Sequence, residues 1–266
     1  MIDYSKELRE QRMEIDSMIQ KIKKREKNYI GLPEGGIRVT SGGGLPQYFF
    51  KPNGSITEKY IPAKDRGNLV KMLQRDYERK VLEELIAMEK RLDVFLRNFD
   101  AKVIENIYAK QCEGRRKMVE PLVLSDEAYI QKWLEGHQGE QNPFPEKGIY
   151  ETEQGEFVRS KSEKIIADTL FKMKVPYRYE TRIELDGNRN AYPDFACLNV
   201  RLRETKYWEH LGLLGNGDYE TKNFEKIETY ERNGILIGDE LILSFETREH
   251  PLRTADIRRK IERFLL

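Results

Sequence analysis

The spacing of apolar residues in the first part of the chain predicts a helix over residues 3–27. Leu8, Ile15 and Ile22 recur at seven-residue intervals among many Glu, Lys and Arg residues, and Met18 adds a further apolar position. This spacing places the apolar side chains on one stripe of a helix, as in a short coiled coil. We therefore expect this helix to pack against another helix of the same chain.

Residues 31–62 follow a different pattern, in which glycine-rich turns alternate with short runs such as IRVT, QYFF and EKYI. Runs of this length between turn residues predict a small antiparallel β-hairpin or meander. A phosphate-binding loop would need a GK[ST] motif and a helix start after the three glycines at 42–44. Neither follows in the sequence, which favours a hairpin turn.

A long helix is predicted next, from Asp65, because apolar residues recur at three- to four-residue multiples between charged ones. Shorter helices are predicted at about 100–112 and 125–135. The segment that follows, GHQGEQNPFPEKGI, contains glycines and two prolines without periodicity, so we place a linker there, at 136–149. The apolar positions of the long helix are Leu69, Leu73, Val81, Leu85, Leu92 and Phe95.

From residue 150 onward the pattern is that of a mixed α/β domain. The runs VPYRYETRIEL, NAYPDFACLNV and RETKYWEHL predict three strands, and ELILSFE predicts a fourth. Their order among the helices predicts a mixed sheet flanked by helices on both faces, over residues 150–266. Residues 1–140 are predicted to form a separate, mainly helical module that contains the β-hairpin or meander. The helices predicted within the α/β domain cover residues 160–174, 218–233 and 254–265.

Two acidic residues interrupt the apolar strands of this domain. Asp194 lies in AYPDFACL, whose faces are both mainly apolar, and Glu209 shares one face of the next strand with Tyr207 and Leu211. A charged carboxylate removed from water costs several kcal/mol unless it is paired, protonated or bound to a cation. Acids on neighbouring buried strands also repel each other unless a cation lies between them. Because Mg²⁺ prefers carboxylate oxygens, the pair indicates a metal site, with protonation or a nearby arginine as the alternatives.

A third carboxylate belongs to a predicted helix. Glu163, Ala167 and Leu170 fall at i, i+4 and i+7, so Glu163 lies on an apolar stripe that would place it near the other two acids. The segment Ser160–Glu163 also matches the S-x-x-E capping box, in which a serine and a glutamate cap the first turn of a helix. Capping alone would explain Glu163, so both interpretations stay open.

The motifs RSKSE, YPDF and WEHLG together resemble the PD-(D/E)xK nuclease superfamily, which has the restriction-endonuclease-like fold. They are particularly similar to those of a group of uncharacterised bacterial and mobile-element proteins. The resemblance covers about residues 150–266 and extends, more weakly, over the N-terminal hairpin and long helix. It implies that Asp194 and Glu209 bind Mg²⁺ or Mn²⁺, with Glu163 as the helix carboxylate of the same site. It also implies metal-dependent hydrolysis of phosphodiester bonds in nucleic acid, in DNA rather than RNA.

The chain departs from this superfamily at one position. The superfamily's lysine is expected two residues after the strand glutamate, where this sequence has Leu211, which carries no charge. Lys226 is the first candidate to replace it, because it lies on a helix face from which a long amine reaches back toward the strands. His210 is the second, as a base or metal ligand, although strand alternation points it away from Glu209. Lys222 is the third candidate. The alternative for Lys226 is an exposed helix lysine without a role at the site, and the alternative for His210 is a structural histidine.

Basic residues near these acids are candidates for nucleic-acid binding. They lie at the start of the first helix of the α/β domain and in its first strand, where they would contact backbone phosphates. A solvated basic surface is the alternative, and the net charge of +1 favours neither. The candidates are Arg159, Lys161, Lys164, Arg178 and Arg182.

Three functional hypotheses follow from these observations. The leading one is a Mg²⁺-dependent endonuclease whose N-terminal module places the substrate or a partner. Leu211 in place of the lysine motivates the second, a catalytically inactive nuclease-like scaffold that binds nucleic acid or protein. The third treats the N-terminal helices as a dimerisation device, for a homodimer or for a helical partner.

Composition excludes several other classes. Charged residues make up 35% and hydrophobic residues 38% of the chain, which is typical of a soluble globular protein. No apolar run approaches the ~18 residues of a membrane span, and the charged first residues lack the apolar core of a secretory signal. Cys112 and Cys197 are too widely spaced for a CxxC metal site or a disulfide framework. We therefore expect reduced thiols, a cytoplasmic location and no membrane association.

Overall fold

The computed structural model is that of a mixed α/β protein. The chain forms two compact units, one of residues Tyr4–Asp100 and one of Met1–Asp3 together with Ala101–Leu266. None of the described helices is long and apolar enough to cross a membrane. The structure describes residues 1–42, 44–143, 148–212, 217–247 and 249–266.

The unit Tyr4–Asp100 contains two long helices and a small sheet. Its elements are α1 (Ser5–Arg25), a 3₁₀ turn (Glu26–Tyr29), β1 (Gly35–Gly42), β2 (Leu45–Pro52), β3 (Lys59–Tyr60), a second 3₁₀ turn (Ala63–Asp65) and α2 (Arg66–Asn98). β2 pairs antiparallel with both β1 and β3, so the meander predicted for residues 31–62 is confirmed. Between β1 and β2, Gly44 has a φ of 106°, a conformation that glycine adopts without strain.

α1 and α2 pack through a small apolar core. Ile15, Ile19 and Ile22 on α1 form a buried cluster with Leu85 on α2. The predicted stripe is confirmed at Ile15 and Ile22, but Met18 is exposed and Ile19 takes the core position. Ile19 follows Ile15 by four residues, about one helical turn, and therefore lies on the same face.

α2 buries only part of its predicted apolar stripe. Leu69 and Leu85 are buried, whereas Leu73 and Phe95 are exposed. A helix of this length carries apolar residues at three- and four-residue spacings on more than one face, because these spacings fall on either side of the 3.6-residue turn. α2 therefore has a buried apolar face and, beside it, an exposed one.

The second unit is built on a four-stranded mixed sheet. Its elements are α3 (Val103–Ala109), α4 (Glu113–Arg116), α5 (Asp126–Gly136), β4 (Tyr150–Glu151), β5 (Phe157–Val158), α6 (Lys161–Lys172), β6 (Tyr177–Tyr179), β7 (Ile183–Leu185), β8 (Arg189–Ala191), β9 (Phe195–Asn199), β10 (Glu204–Leu211), α7 (Gly217–Arg232), β11 (Leu241–Phe245) and α8 (Thr254–Phe264). The strand order is β11–β10–β9–β6. β10 is parallel to β11 and antiparallel to β9, which is in turn antiparallel to β6.

Helices cover both faces of this sheet, as the sequence predicts. On one face, Ile166 from α6 and Ile257 from α8 share a core with Trp208 of β10. On the other face, Tyr230 from α7 packs in a cluster with Leu241 of β11. Successive residues of a strand point to opposite sides, so each side chain of β9 and β10 belongs to one of these two layers.

α5 belongs to the α/β unit, although it lies within residues 1–140, which the sequence assigns to the N-terminal module. Trp133 of α5 clusters with Ala196 and Leu198 of β9, and its Nε1 donates to Oγ1 of Thr205 at 2.8 Å. Burial of the indole against the sheet holds this helix in the unit. The two units thus divide at residue 100, ahead of the linker predicted at 136–149, of which residues 144–147 lie outside the described ones.

Two of the predicted strands are each interrupted. The run 175–185 forms β6 and β7, because Glu180 between them has a φ of 48° and turns the chain. The run 190–200 forms β8 and β9, with Pro193, which has no N–H to donate to a strand partner, in the gap. β7 and β8 pair with each other as a separate antiparallel hairpin.

Candidate active site

Asp194 and Glu209 meet on one face of the mixed sheet. β9 and β10 pair antiparallel with Phe195 opposite Trp208, and continuing this register by one residue places Asp194 opposite Glu209, with both side chains on the same side. Asp194 immediately precedes β9, where its Oδ2 accepts the backbone N–H of His210 at 2.6 Å. Glu209 is 3% exposed and Asp194 is partly exposed.

Helix α7 brings a lysine and a tyrosine to this pair of acids. Nζ of Lys226 lies 2.6 Å from Oε1 of Glu209 and also donates to the carbonyl oxygen of Tyr192 at 3.2 Å. One turn further along α7, the hydroxyl of Tyr230 donates to the same Oε1 at 2.6 Å. Tyr230 is fully buried beside Leu241, so its packing holds the helix face that carries Lys226. These contacts engage one oxygen of Glu209.

The charges of these groups act on one another. Burial raises the pKa of Asp194 well above its ordinary value, and the negative charge of Glu209 raises it further. Burial lowers the pKa of Lys226, but the charges of Glu209 and Asp194 outweigh burial and leave this pKa raised. Burial and Glu209 also raise the pKa of Tyr230, which keeps its hydroxyl a donor. The charge of Glu209 thus disfavours the charged form of Asp194, and the charge of Lys226 offsets part of this effect.

Glu163 forms the cap of α6. Ser160 Oγ accepts the backbone N–H of Glu163 at 3.0 Å, and Oε2 of Glu163 accepts the backbone N–H of Arg159 at 2.9 Å. The hydroxyl of Tyr179 donates to the same Oε2 at 2.8 Å. The negative charge of Glu163 still contributes to the raised pKa of Asp194. Glu163 thus acts as a helix cap and lies close enough to the acid pair to influence it electrostatically.

His210 points to the opposite face of β10 from Glu209, as strand alternation predicts. Its Nδ1 lies 3.0 Å from Oγ of Ser244, and that hydroxyl oxygen accepts Nε1–H of Trp208 at 2.8 Å. Nε2 of His210 lies 3.4 Å from Oε1 of Glu246. Burial lowers the pKa of His210 more than Glu246 raises it. The imidazole therefore belongs to a buried polar network, and it is the backbone N–H of His210 that contacts the acid pair.

The polar network beneath the sheet joins three segments of the chain. Ser162 of α6 donates to Oε1 of Glu246 at 2.7 Å, and the backbone N–H of Leu252 donates to Oε2 of Glu246 at 3.2 Å. With His210 and Ser244, these contacts connect the start of α6, the end of β10 and the segment after β11. The network lies at the end of β10, where the side chain of Glu209 faces the other side of the sheet and the backbone N–H of His210 donates to Asp194.

The network provides a test of its own. The Ser244→Ala substitution removes the acceptor of Trp208 Nε1 and leaves a buried N–H without a partner, so we expect a loss of about 1–3 kcal/mol in the free energy of unfolding. Urea denaturation measures this loss. Ser41→Ala, at an exposed strand serine, is the control and should change stability by less than about 0.5 kcal/mol. Equal stabilities of Ser244→Ala and wild type would contradict the network.

The predicted nucleic-acid-binding residues are placed as follows. Arg159 forms an ion pair with Glu180, and Arg178 donates to the carbonyl oxygen of His137 at 3.0 Å. The remaining three lie at or near the surface. Lys164 pairs with Asp168 at 3.2 Å, Arg182 lies 3.8 Å from Glu184, and Lys161 is exposed. Four of the five thus contact groups of their own chain, and Lys161 and Arg182 are the exposed members of the set.

The site offers carboxylate oxygens, the ligands that a divalent cation such as Mg²⁺ prefers. In the described ranges, no group of three or more His, Cys, Asp and Glu side chains is arranged to hold a metal ion. Two carboxylates on adjacent strands do converge, and their mutual repulsion contributes to the raised pKa of Asp194. A cation between them would relieve this repulsion, and carboxylate oxygens suit Mg²⁺. Asp194 and Glu209 thus supply the ligand type that such a cation needs. Glu163, whose charge also acts on Asp194, accepts a hydrogen bond in the cap of α6.

Part of this arrangement has no signal in the sequence. Tyr230 does have one, because it lies four residues after Lys226 and shares its helix face. Ser244 and Glu246 carry no such signal, because they reach His210 only through the pairing of β10 with β11. Leu211, at the position expected for the lysine, is partly buried at the end of β10. The side chain of Lys222 lies outside the described part of the structure.

Comparison with known proteins adds no relative from which residues or roles can be transferred. The chain matches no family model, no curated protein and no solved structure. Its site is therefore characterised by its own geometry, in which two strand carboxylates, a helix lysine and a buried tyrosine come together on one face of a mixed sheet.

Proposed function

We propose that this chain is a metal-dependent nuclease with a restriction-endonuclease-like α/β unit, which hydrolyses phosphodiester bonds of DNA in preference to RNA. The observation that supports the proposal most is the 2.6 Å contact between Nζ of Lys226 and Glu209, with Asp194 on the neighbouring strand. Two carboxylates and an amine on one sheet face are the groups that metal-assisted phosphodiester hydrolysis uses. Lys226 supplies from a helix the positive charge that Leu211 lacks.

Each residue has a distinct role in this proposal. Asp194 and Glu209 would hold Mg²⁺ or Mn²⁺, which would neutralise phosphate charge and lower the pKa of a water molecule. Lys226, kept in place by Glu209 and the carbonyl of Tyr192, stabilises the charge that develops on the phosphate. Tyr230 holds the Glu209 carboxylate in its orientation. The backbone N–H of His210 does the same for Asp194.

Outside the acid pair, Glu163 and the basic residues have supporting roles. Glu163 caps α6 and adds negative potential at the site. Lys161, exposed on the same helix, is the basic residue best placed to contact a backbone phosphate, while Arg159 and Lys164 share their charges with acidic neighbours. Arg178 and Arg182 contribute electrostatic attraction to the backbone phosphates in this proposal.

Cleavage of nucleic acid tests the proposal directly. Wild type should nick or linearise supercoiled plasmid in Mg²⁺ or Mn²⁺, act more slowly on RNA, and lose activity in EDTA. Glu209→Gln should be inactive, because it removes one ligand charge and the partner of Lys226. Glu184→Gln, at an exposed strand glutamate, is the control and should keep full activity. Cleavage that persists in Glu209→Gln would contradict the role proposed for Glu209. Cleavage that survives both Asp194→Ala and Glu209→Ala would come from another protein in the preparation.

A second candidate, a nuclease-like scaffold without turnover, is favoured by one observation. Lys226 already neutralises Glu209, so the acids could form a structural charge cluster that needs no cation. Isothermal titration with Mn²⁺ distinguishes the two. The nuclease binds Mn²⁺ through its carboxylates and loses binding in Asp194→Ala, whereas the scaffold gives no heat of binding in either protein.

We also propose the cytoplasm as the compartment. Cys112 and Cys197 are both free thiols, the first exposed and the second buried. An exposed free thiol suits a reducing compartment, where it is not driven into mixed disulfides. Mass analysis of the protein purified without reductant, before and after alkylation, measures whether the two thiols are reduced. Both cysteines should be recovered unmodified from the cell.

A further inference from the structure

The exposed face of α2 carries a long stripe of apolar side chains. Val70 and Tyr77 are 64% and 63% exposed, and Met88 and Phe95 are exposed as well. These four residues are separated by seven, eleven and seven positions, which are close to whole numbers of helical turns. They therefore lie in one line along the helix, over a length of about 38 Å at 1.5 Å per residue.

This stripe borders the face of α2 that packs on α1. Buried Leu85 and its neighbours Leu82 and Ile86 lie on the packed face. Val81 and Leu92 pack at the edge of that face, next to the stripe. At the end of the stripe Phe95 stacks on Phe99, with ring centroids 5.0 Å apart. Single exposed apolar residues are ordinary, but several exposed apolar side chains aligned on one helix face indicate an interaction surface.

We propose that the stripe packs antiparallel against the same stripe of a second copy of this chain. Val70 and Phe95 lie at equal distances from a midpoint between Leu82 and Glu83, and so do Tyr77 and Met88. A two-fold axis at this midpoint places Val70 opposite Phe95 of the second copy. It likewise places Tyr77 opposite Met88. Each apolar side chain of the stripe thereby meets an apolar side chain, as a self-complementary two-fold interface requires.

The charges along the stripe select the antiparallel orientation. Lys80, Glu84 and Arg91 are exposed and lie along or beside the apolar line. In a parallel pair in register, Glu84 would face Glu84 and Arg91 would face Arg91 of the second copy, and like charges repel. In the antiparallel pair, Lys80 lies beside Glu84 of the second copy, and the two-fold axis repeats this attraction. Charge complementarity of this kind sets orientation in helix pairs.

The mass of the full chain in solution tests the dimer. Sedimentation equilibrium should give twice the 31.5 kDa of one chain. The Tyr77→Glu and Met88→Glu double variant should weaken association at least about tenfold, because it places like charges opposite each other in a desolvated interface. Val70→Lys, at the end of the stripe, should weaken it as well. Circular dichroism equal to that of wild type would show that these variants are folded.

Asn68→Glu is the matched control, because it adds a negative charge at an exposed position on another face of α2. It should leave the mass unchanged. A wild-type chain that is monomeric at all concentrations would overturn the proposal. So would a dimer that survives both the double variant and Val70→Lys, since association would then use another surface.

Cysteine cross-linking tests the orientation, in a Cys112→Ser background that removes the exposed thiol. A mixture of Tyr77→Cys and Met88→Cys chains should form a disulfide between the two variants. Tyr77→Cys alone should not, because eleven residues of offset separate the two thiols by about 16 Å, beyond disulfide reach. Efficient cross-linking of Tyr77→Cys alone would overturn the antiparallel arrangement.

Discussion

The Asp194→Asn variant is expected to be more stable than wild type at neutral pH and inactive as a nuclease. Burial and Glu209 raise the pKa of Asp194, so its charged form destabilises the folded state. Asparagine keeps an acceptor for the N–H of His210 without the charge. We expect a gain of about 1 kcal/mol in the free energy of unfolding. We expect cleavage to fall at least ~10²-fold, because a metal ligand is lost.

The pH dependence of stability checks the cause of this gain. The folded-state pKa of Asp194 lies above its unfolded value of about 3.9. The folded state therefore retains the proton longer, and Asp194 costs stability progressively as pH rises from near 4 through the folded pKa. The difference between variant and wild type should vanish near pH 3 and grow toward neutrality. A difference that is constant with pH would contradict an electrostatic origin.

In saturating Mg²⁺ or Mn²⁺, wild type should become more stable than Asp194→Asn. A cation that binds only the folded state stabilises it by mass action, and wild type has both carboxylates to hold it. Thermal unfolding with and without metal measures this effect. A metal-induced rise in melting temperature that is equal in Asp194→Asn and wild type would mean that the ion binds elsewhere.

The Lys226→Met variant is expected to lose both stability and activity. Glu209 is almost wholly buried. Removing the ammonium takes away its ion pair and leaves the Tyr230 hydroxyl as a donor to the same oxygen. Breaking a fully buried ion pair costs about 3–5 kcal/mol. Because the Lys226 side chain is 38% exposed, solvent screens the pair and we expect about 2 kcal/mol. Guanidinium denaturation measures this loss, and a plasmid-cleavage assay should show no activity.

A double-mutant cycle separates the ion pair from general packing. The Lys226→Met and Glu209→Gln double variant should lose less stability than the sum of the two single variants, because neither charge remains unpaired. Lys172→Met is the control, since Lys172 pairs with Glu153 on the surface at 2.8 Å. Its effect should stay below about 1 kcal/mol. Additive effects in the cycle would contradict the 2.6 Å contact.

Periodicity in the sequence was sufficient to bring several site residues to the correct faces. Asp194 and Glu209 share a side of the sheet because strands alternate and because β9 and β10 are joined by a short turn, which fixes their antiparallel register. Lys226 faces the strands because it lies on the same side of α7 as buried Tyr230. Both inferences need only local spacing, which a sequence contains.

Other features depend on contacts between distant segments and have no local signal. Ser162 and Glu246 are 84 residues apart in sequence, so no pattern predicts their hydrogen bond. Glu180 breaks a run that reads as one strand, because its backbone is left-handed, with a φ of 48°, which the pattern of apolar residues does not indicate. α5 belongs to the α/β unit because Trp133 is buried against β9. The glycines and prolines after α5 instead indicate a linker, so the sequence places the boundary on the wrong side of this helix.

The positions of the tryptophans have a practical consequence. The chain has two tryptophans, Trp133 and Trp208, and both are buried in the unit that contains the mixed sheet. Indole emission will therefore report the melting of that unit alone, while far-ultraviolet ellipticity follows the helices of both. Recording the two signals in one titration resolves the stability of each unit without cutting the chain, and any lag between the curves measures how independently they unfold.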